Sequence, residues 1–149
     1  MKELKETDPK KDFRTARHRI LLAEDNPHDC FLLEEAFSNA NIAVHIECVP
    51  DGDQLLNRLR EAQGGNSPFG LIVLDAHLPR RSAEEVLTAI QDGHDQLDIP
   101  VVVLSSLISE QEKKRFLELG VHSNLSKPLD LNEYLDLARN LEKILDGAR

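Results

Sequence analysis

The chain has 149 residues, 40% hydrophobic and 30% charged, with a formal net charge of −9, two cysteines, one tyrosine and no tryptophan. That length suits one domain, which at about 150 residues buries roughly 70% of its unfolded surface; no apolar run approaches the ~20 residues of a membrane span, and the amino terminus lacks the apolar stretch of a secretory signal. Residues 1–19 hold seven Lys/Arg against four Asp/Glu and the remainder eleven against twenty-three, so the acidic body argues against nucleic-acid binding, which rests on neutralising phosphates with Lys and Arg.

Residues 1–18 are polar, contain Pro9 and read as a flexible charged extension. The domain then runs from 19 to about 146. RILLA at 19–23 is the first of five short runs rich in Ile, Val and Leu; the others lie at 43–49, 70–74, 100–104 and, more weakly, 121–126. After the first run, NPHDCFLLEEAFSNA predicts a helix with Asn26 as N-cap, Pro27 at the first helical position and an apolar stripe through Phe31, Leu32, Leu33, Ala36, Phe37 and Ala40. DGDQLLNRLREA, SAEEVLTAIQDG, SEQEKKRFLELG and DLNEYLDLARNLEKIL predict four more, capped by Asp51, Ser82, Ser109 and Asp130, with Gly93 and Gly120 placed as stops. QGGNSPFG at 63–70 is too short to divide domains and reads as the connection into the third strand. Cys30 and Cys48 provide no disulfide framework; reduced, buried thiols in a cytoplasmic protein are expected.

Five βα units with near-continuous apolar strands imply an α/β fold, a doubly wound parallel sheet covered on both faces. In such sheets ligands bind beyond the carboxyl ends of the strands. Glu24-Asp25, Asp75, Ser105-Ser106 and Lys127 all fall there. At ~4 Å and an effective dielectric near 20, two carboxylates repel by about 4 kcal/mol, so acids gathered at one rim call for a cation. Each residue also has a plain structural explanation. Asp75 could cap a helix, Glu24-Asp25 could favour a helix dipole, Lys127 could snorkel to solvent, and the serines could simply turn the chain. Their joint position at four strand ends weighs against taking each alone.

LLAEDNPHD, LIVLDAHLP, VVVLSS and NLSKP, in this order, resemble the motifs of the receiver domain of two-component response regulators over residues 19 to about 146. The ED-NP start is similar to that of stand-alone regulators, including those paired with bacterial phytochrome kinases. The resemblance implies a flavodoxin/CheY-like (βα)5 sheet of strand order 2-1-3-4-5. It implies Asp75 as phosphoacceptor from a sensor histidine kinase, of phytochrome type in the narrower resemblance, and a Mg²⁺ ion held by Asp25 and Asp75, by Glu24 through water and by the backbone carbonyl of His77. Lys127 pairs with Asp75 and then with the phosphoryl group, aimed inward by a cis bond to Pro128, while Ser105 donates to the phosphoryl oxygen and small Ser106 leaves room for it. With no output domain before the end of the chain, the signal would pass to a downstream protein partner, with no role for DNA or membrane; a homodimer through the fourth helix, fifth strand and fifth helix is a further partner of this kind.

The sequence departs from the pattern at three places. Asn124 stands where receivers usually carry the aromatic that reports phosphorylation, Ser82-Ala83 replaces the usual Asp-Gly and predicts a different turn, and His77 is placed to modulate hydrolysis of the acyl phosphate. Three alternatives stand beside the phosphoacceptor: a degenerate receiver that binds partners without phosphorylation, a Mg²⁺-dependent phosphohydrolase, which would need a second acid and an enclosure, and a flavin binder, which would need an aromatic stack and a Gly-rich phosphate loop.

Overall fold

The computed structural model describes residues 18–62, 69–93 and 99–147. The amino-terminal extension up to residue 17 and most of the 63–70 connection lie outside the described residues. Five strands, β1 (Arg19–Ala23), β2 (His45–Val49), β3 (Leu71–Asp75), β4 (Val101–Ser105) and β5 (Ser123–Ser126), alternate with five helices, α1 (Pro27–Asn39), α2 (Gly52–Glu61), α3 (Ala83–Gly93), α4 (Glu110–Glu118) and α5 (Leu131–Gly147). The strands pair in parallel in the order β2-β1-β3-β4-β5, the order that the receiver resemblance implies.

Each helix starts where the sequence places a cap. Asn26 accepts from the His28 N–H with Pro27 following, and Asp51 accepts from the Gln54 N–H. Ser82 and Glu85 exchange side chain to backbone bonds, as do Ser109 and Glu112, and Asp130 accepts from the Glu133 N–H. These bonds satisfy donors that a helix N-terminus otherwise leaves bare.

The sheet divides the core into two layers. Leu21, Ala23, Ile72, Leu74, Val101 and Val103 pack toward α2, α3 and α4, whereas Ile20, Leu22, Leu71, Val73, Val102 and Leu104 pack toward α1 and α5. β3 and β4 are buried throughout, the pattern of central parallel strands covered on both faces. Gly52 lies where α2 meets α3: a Cβ there would stand 2.6 Å from Val86 Cγ2 and 3.1 Å from Arg81 Cβ.

Two expectations are overturned. Cys30 and Cys48 are joined in a disulfide, 18 residues apart in sequence, rather than held as reduced thiols. The register explains how they meet: Leu22 lies beside Cys48 across β1 and β2, and both Cys48 and Cys30 of α1 face the same core layer. A low cysteine count says nothing about whether two distant positions converge. The Lys127–Pro128 bond is trans, since no cis peptide occurs among the described residues. The trans form is the lower-energy isomer, and the lysine reaches the rim without the other.

Among the described residues no helix is long and apolar enough to cross a membrane. Gly52→Ala is expected to destabilise the domain by about 1–3 kcal/mol through overpacking, despite the roughly 1 kcal/mol that alanine gains over glycine in an open helix. Urea unfolding measures this, and Val86→Ala in the same background should recover part of the loss.

Candidate functional site

Strand alternation builds the site. Successive side chains of a strand point to opposite faces, and the ladder continues past three strand ends: the Glu24 N–H donates to Val49 O, the Ala76 N–H to Leu104 O and the Lys127 N–H to Ser105 O. Glu24 therefore keeps the parity of Ile20 and Leu22, Asp75 that of Leu71 and Val73, and Lys127 that of Leu125. All three emerge on the α1/α5 side at the carboxyl rim.

There they meet. Lys127 Nζ is 2.9 Å from Asp75 Oδ2, 3.0 Å from Glu24 Oε1 and 3.6 Å from Asp29 Oδ2. Asp75 Oδ1 accepts from the His77 N–H at 2.9 Å, and Glu24 Oε2 accepts from the Asn26 N–H at 3.1 Å. Among the described residues the buried polar or charged side chains are Glu24, Asp51, Asp75 and Ser105. Three of the four belong to this rim, so the domain's concentration of buried polarity lies here.

Electrostatics follow from burial. Glu24 is 4% exposed. Desolvation raises its pKa, the hydrogen bond from Lys127 opposes that rise, and the Asp75 charge adds to it. Lys127 is pulled down by burial, but its bonds to Asp75 and Glu24 outweigh the loss and raise it further above the ordinary lysine range. The ammonium is thus fixed in its charged form.

Glu24, Asp25 and Asp75 each offer a carboxylate oxygen, and these atoms lie within 4.8 Å of one another. Three hard oxygen donors gathered this closely fit a divalent ion of the Mg²⁺ type, which prefers carboxylates and retained waters.

The other predicted residues occupy distinct places. Ser105 is buried at the end of β4 beside Lys127 in the ladder, while Ser106 is exposed. The His77 residue is exposed and touches the site through its backbone N–H. Asn124 has the opposite parity on β5: its Nδ2 donates to the Lys113 carbonyl at 3.4 Å, and its buried Oδ1 has no partner among the described residues. Ala83 opens α3 in the core, and the left-handed residue of the preceding loop is Arg80, whose φ is +74°. Arg80 approaches Asp51 at 3.6 Å and Asp53 at 3.9 Å, and Arg81 pairs with Asp53, strapping the loop after Asp75 to the start of α2. A cleft of about 530 Å³ lies beside this strap, but its Asp and Arg side chains already pair, so the acidic rim is the candidate site.

Sequence reasoning missed Asp29. It stands in the first turn of α1, and its approach to Lys127 is a contact between distant segments that no local spacing signals.

The chain matches the response regulator receiver domain over residues 20–139. It belongs to that family. It is 36% identical over 126 residues to the probable methanogenesis regulatory protein FilR2 of Methanothrix harundinacea, covering 84% of this chain and 79% of that one. It is 32% identical over 125 residues to the response regulator Rcp1 of Synechocystis sp., covering 83% and 85%. The Mn²⁺-bound crystal structure of Rcp1 superposes with a TM-score of 0.71 over 85% of this chain and 92% of that one. The phosphorylated cyanobacterial phytochrome response regulator RcpA superposes with a TM-score of 0.75 at 30% identity, over 89% and 96%. The fold and a role in two-component signalling follow.

Magnesium is expected to stabilise the protein at neutral pH, by about 2.7 kcal/mol at a hundredfold excess over Kd, with the gain fading as carboxylates protonate in acid. Without the metal the sign reverses for Glu24. Its folded pKa is raised, so its contribution is greatest below the ordinary glutamate range and is lost as pH rises through the folded value. Glu24→Gln should remove that loss and weaken the magnesium response, as measured by thermal or urea unfolding across pH.

Proposed function

We propose that the protein is a single-domain response regulator that accepts a phosphoryl group from a sensor histidine kinase on Asp75 and signals by contact with another protein in the cytoplasm. The observation that carries this reading is the Lys127 ammonium held 2.9 Å from Asp75 and 3.0 Å from Glu24 at an acidic rim. Phosphoryl transfer asks the protein mainly for positioning and charge neutralisation, and this arrangement supplies both.

The chemistry follows from the residues. The Asp75 carboxylate attacks the phosphorus of a phosphohistidine, the P–N bond breaks, and an acyl phosphate forms. The His77 N–H holds one Asp75 oxygen and orients the carboxylate. Lys127 moves its charge onto the phosphoryl oxygens, Ser105 donates its hydroxyl to one of them, and exposed Ser106 leaves space. Glu24, Asp25, Asp75 and the His77 carbonyl would hold Mg²⁺, which when bound would neutralise charge on the phosphoryl group. The Mn²⁺ bound by Rcp1 supports a divalent ion in this role.

The protein acts as a phosphoacceptor with slow self-dephosphorylation rather than as a turnover enzyme. Its likeness to Rcp1 and to the phytochrome regulator RcpA supports a phytochrome-type kinase as donor. A phosphorylation-independent binding module is not favoured, because it leaves the buried acids and their lysine without a task. A homodimer through α4, β5 and α5 is a secondary reading; Lys113, Arg115 and Arg139 there already pair with Glu110, Glu118 and Asp136 of their own helices.

Incubation with acetyl phosphate and Mg²⁺ should add one phosphoryl group by intact mass, lost in Asp75→Asn and on chelation; an equal gain in Asp75→Asn would refute the assignment. His77→Ala is expected to change the lifetime of the acyl phosphate without preventing its formation, followed by mass after removal of the donor.

A further inference from the structure

The three acids around Lys127 differ in position. Glu24 and Asp75 belong to the cluster that fits a divalent ion, whereas Asp29, in the first turn of α1, stands outside it at 3.6 Å from the amine. The other oxygen of Asp29 lies 3.5 Å from the Tyr134 hydroxyl, at the outer limit of a hydrogen bond. Tyr134 is 7% exposed and sits in the core layer between α1 and α5. Burial first, and the Asp29 charge second, push its phenol up to about 12, so near neutral pH it is a donor. A polar chain therefore runs from Asp75 through Lys127 and Asp29 to Tyr134 on α5.

The distances set up a competition. An ammonium carries three protons, and three carboxylates share this one. A phosphoryl group on Asp75 brings up to two negative charges and three strong acceptor oxygens, and charge-assisted bonds to it outrank a 3.6 Å approach to Asp29. As the amine turns to the phosphoryl group, the half-buried Asp29 carboxylate loses its cation and must find another donor or bear the cost of desolvation. The Tyr134 hydroxyl is the donor at hand. No equivalent path runs toward α4 through Asn124, whose amide is already given to the Lys113 carbonyl.

We infer that Asp29 and Tyr134 form a relay that positions Lys127 at rest and passes its movement to α5, the Tyr134–Asp29 hydrogen bond tightening when Asp75 is phosphorylated. The relay rests on the phosphoacceptor role of Asp75. Asp29 and Tyr134 are positioning residues that act through the lysine.

Tyr134 is the sole tyrosine and the chain has no tryptophan, so intrinsic emission reports this hydroxyl, and a carboxylate acceptor quenches a phenol. The full chain is incubated with Mg²⁺ and acetyl phosphate, and emission is followed beside intact mass. Emission should fall in proportion to the phosphorylated fraction, and in Asp29→Asn it should stay constant at the same fraction. Constant emission in phosphorylated parent protein, or an equal fall in Asp29→Asn, overturns the relay while leaving the phosphoacceptor in place; absence of any mass shift overturns both. Tyr134→Phe keeps the ring in the core and removes only the hydroxyl, so it decides the matter if Asp29→Asn fails to fold. It should phosphorylate several-fold more slowly than parent, because an Asp29 without its donor holds the amine back, with the thermal midpoint close to parent. A parent-like rate overturns the relay.

Discussion

The buried ammonium of Lys127 is the interaction on which the rest of the rim depends. Glu24 and Asp75 are 4% and 3% exposed, and burying a lone charge costs several kcal/mol even after relaxation. Their amine, at 2.9 and 3.0 Å, makes that burial tolerable, yet it leaves an excess of negative charge once Asp25 and Asp29 are counted. The domain is held in a state that one further positive charge improves. Structure and chemistry meet in that imbalance, because a rim short of cations suits both a divalent ion and the transfer of a phosphoryl group.

Much of the fold was legible because its signals are local or periodic. The caps at Asn26, Asp51, Ser82, Ser109 and Asp130 need only a few adjacent residues, and the apolar strands announce themselves by composition; the position of Glu24-Asp25, Asp75 and Lys127 at strand ends follows from the same reading. What escaped depends on contacts between distant segments. The Cys30–Cys48 disulfide requires the β1–β2 register, and the part played by Asp29 requires knowing that β5 delivers its lysine to the face covered by α1. The isomer of the Lys127–Pro128 bond is not determined by either residue alone, and a family resemblance does not fix it.

The departures from the family pattern are absorbed locally. The left-handed residue of the loop after Asp75 is Arg80, and a non-glycine residue there costs of order 1–3 kcal/mol unless its surroundings hold it. Asp51 and Asp53 hold it, as ion pairs to Arg80 and Arg81. Asn124 is accommodated less completely, its amide bonded to α4 and its carbonyl oxygen buried alone among the described residues. Tyr134 thus has a polar contact toward the rim through Asp29, whereas the Asn124 amide is bonded to α4.

The rim draws its groups from β1, β3, β4 and β5, strands that parallel connections keep far apart along the chain. No fragment that lacks the last strand can assemble it, since the lysine arrives only there. The site is consequently closed by the segment made last in the sheet, so its assembly reports that all five strands have come together.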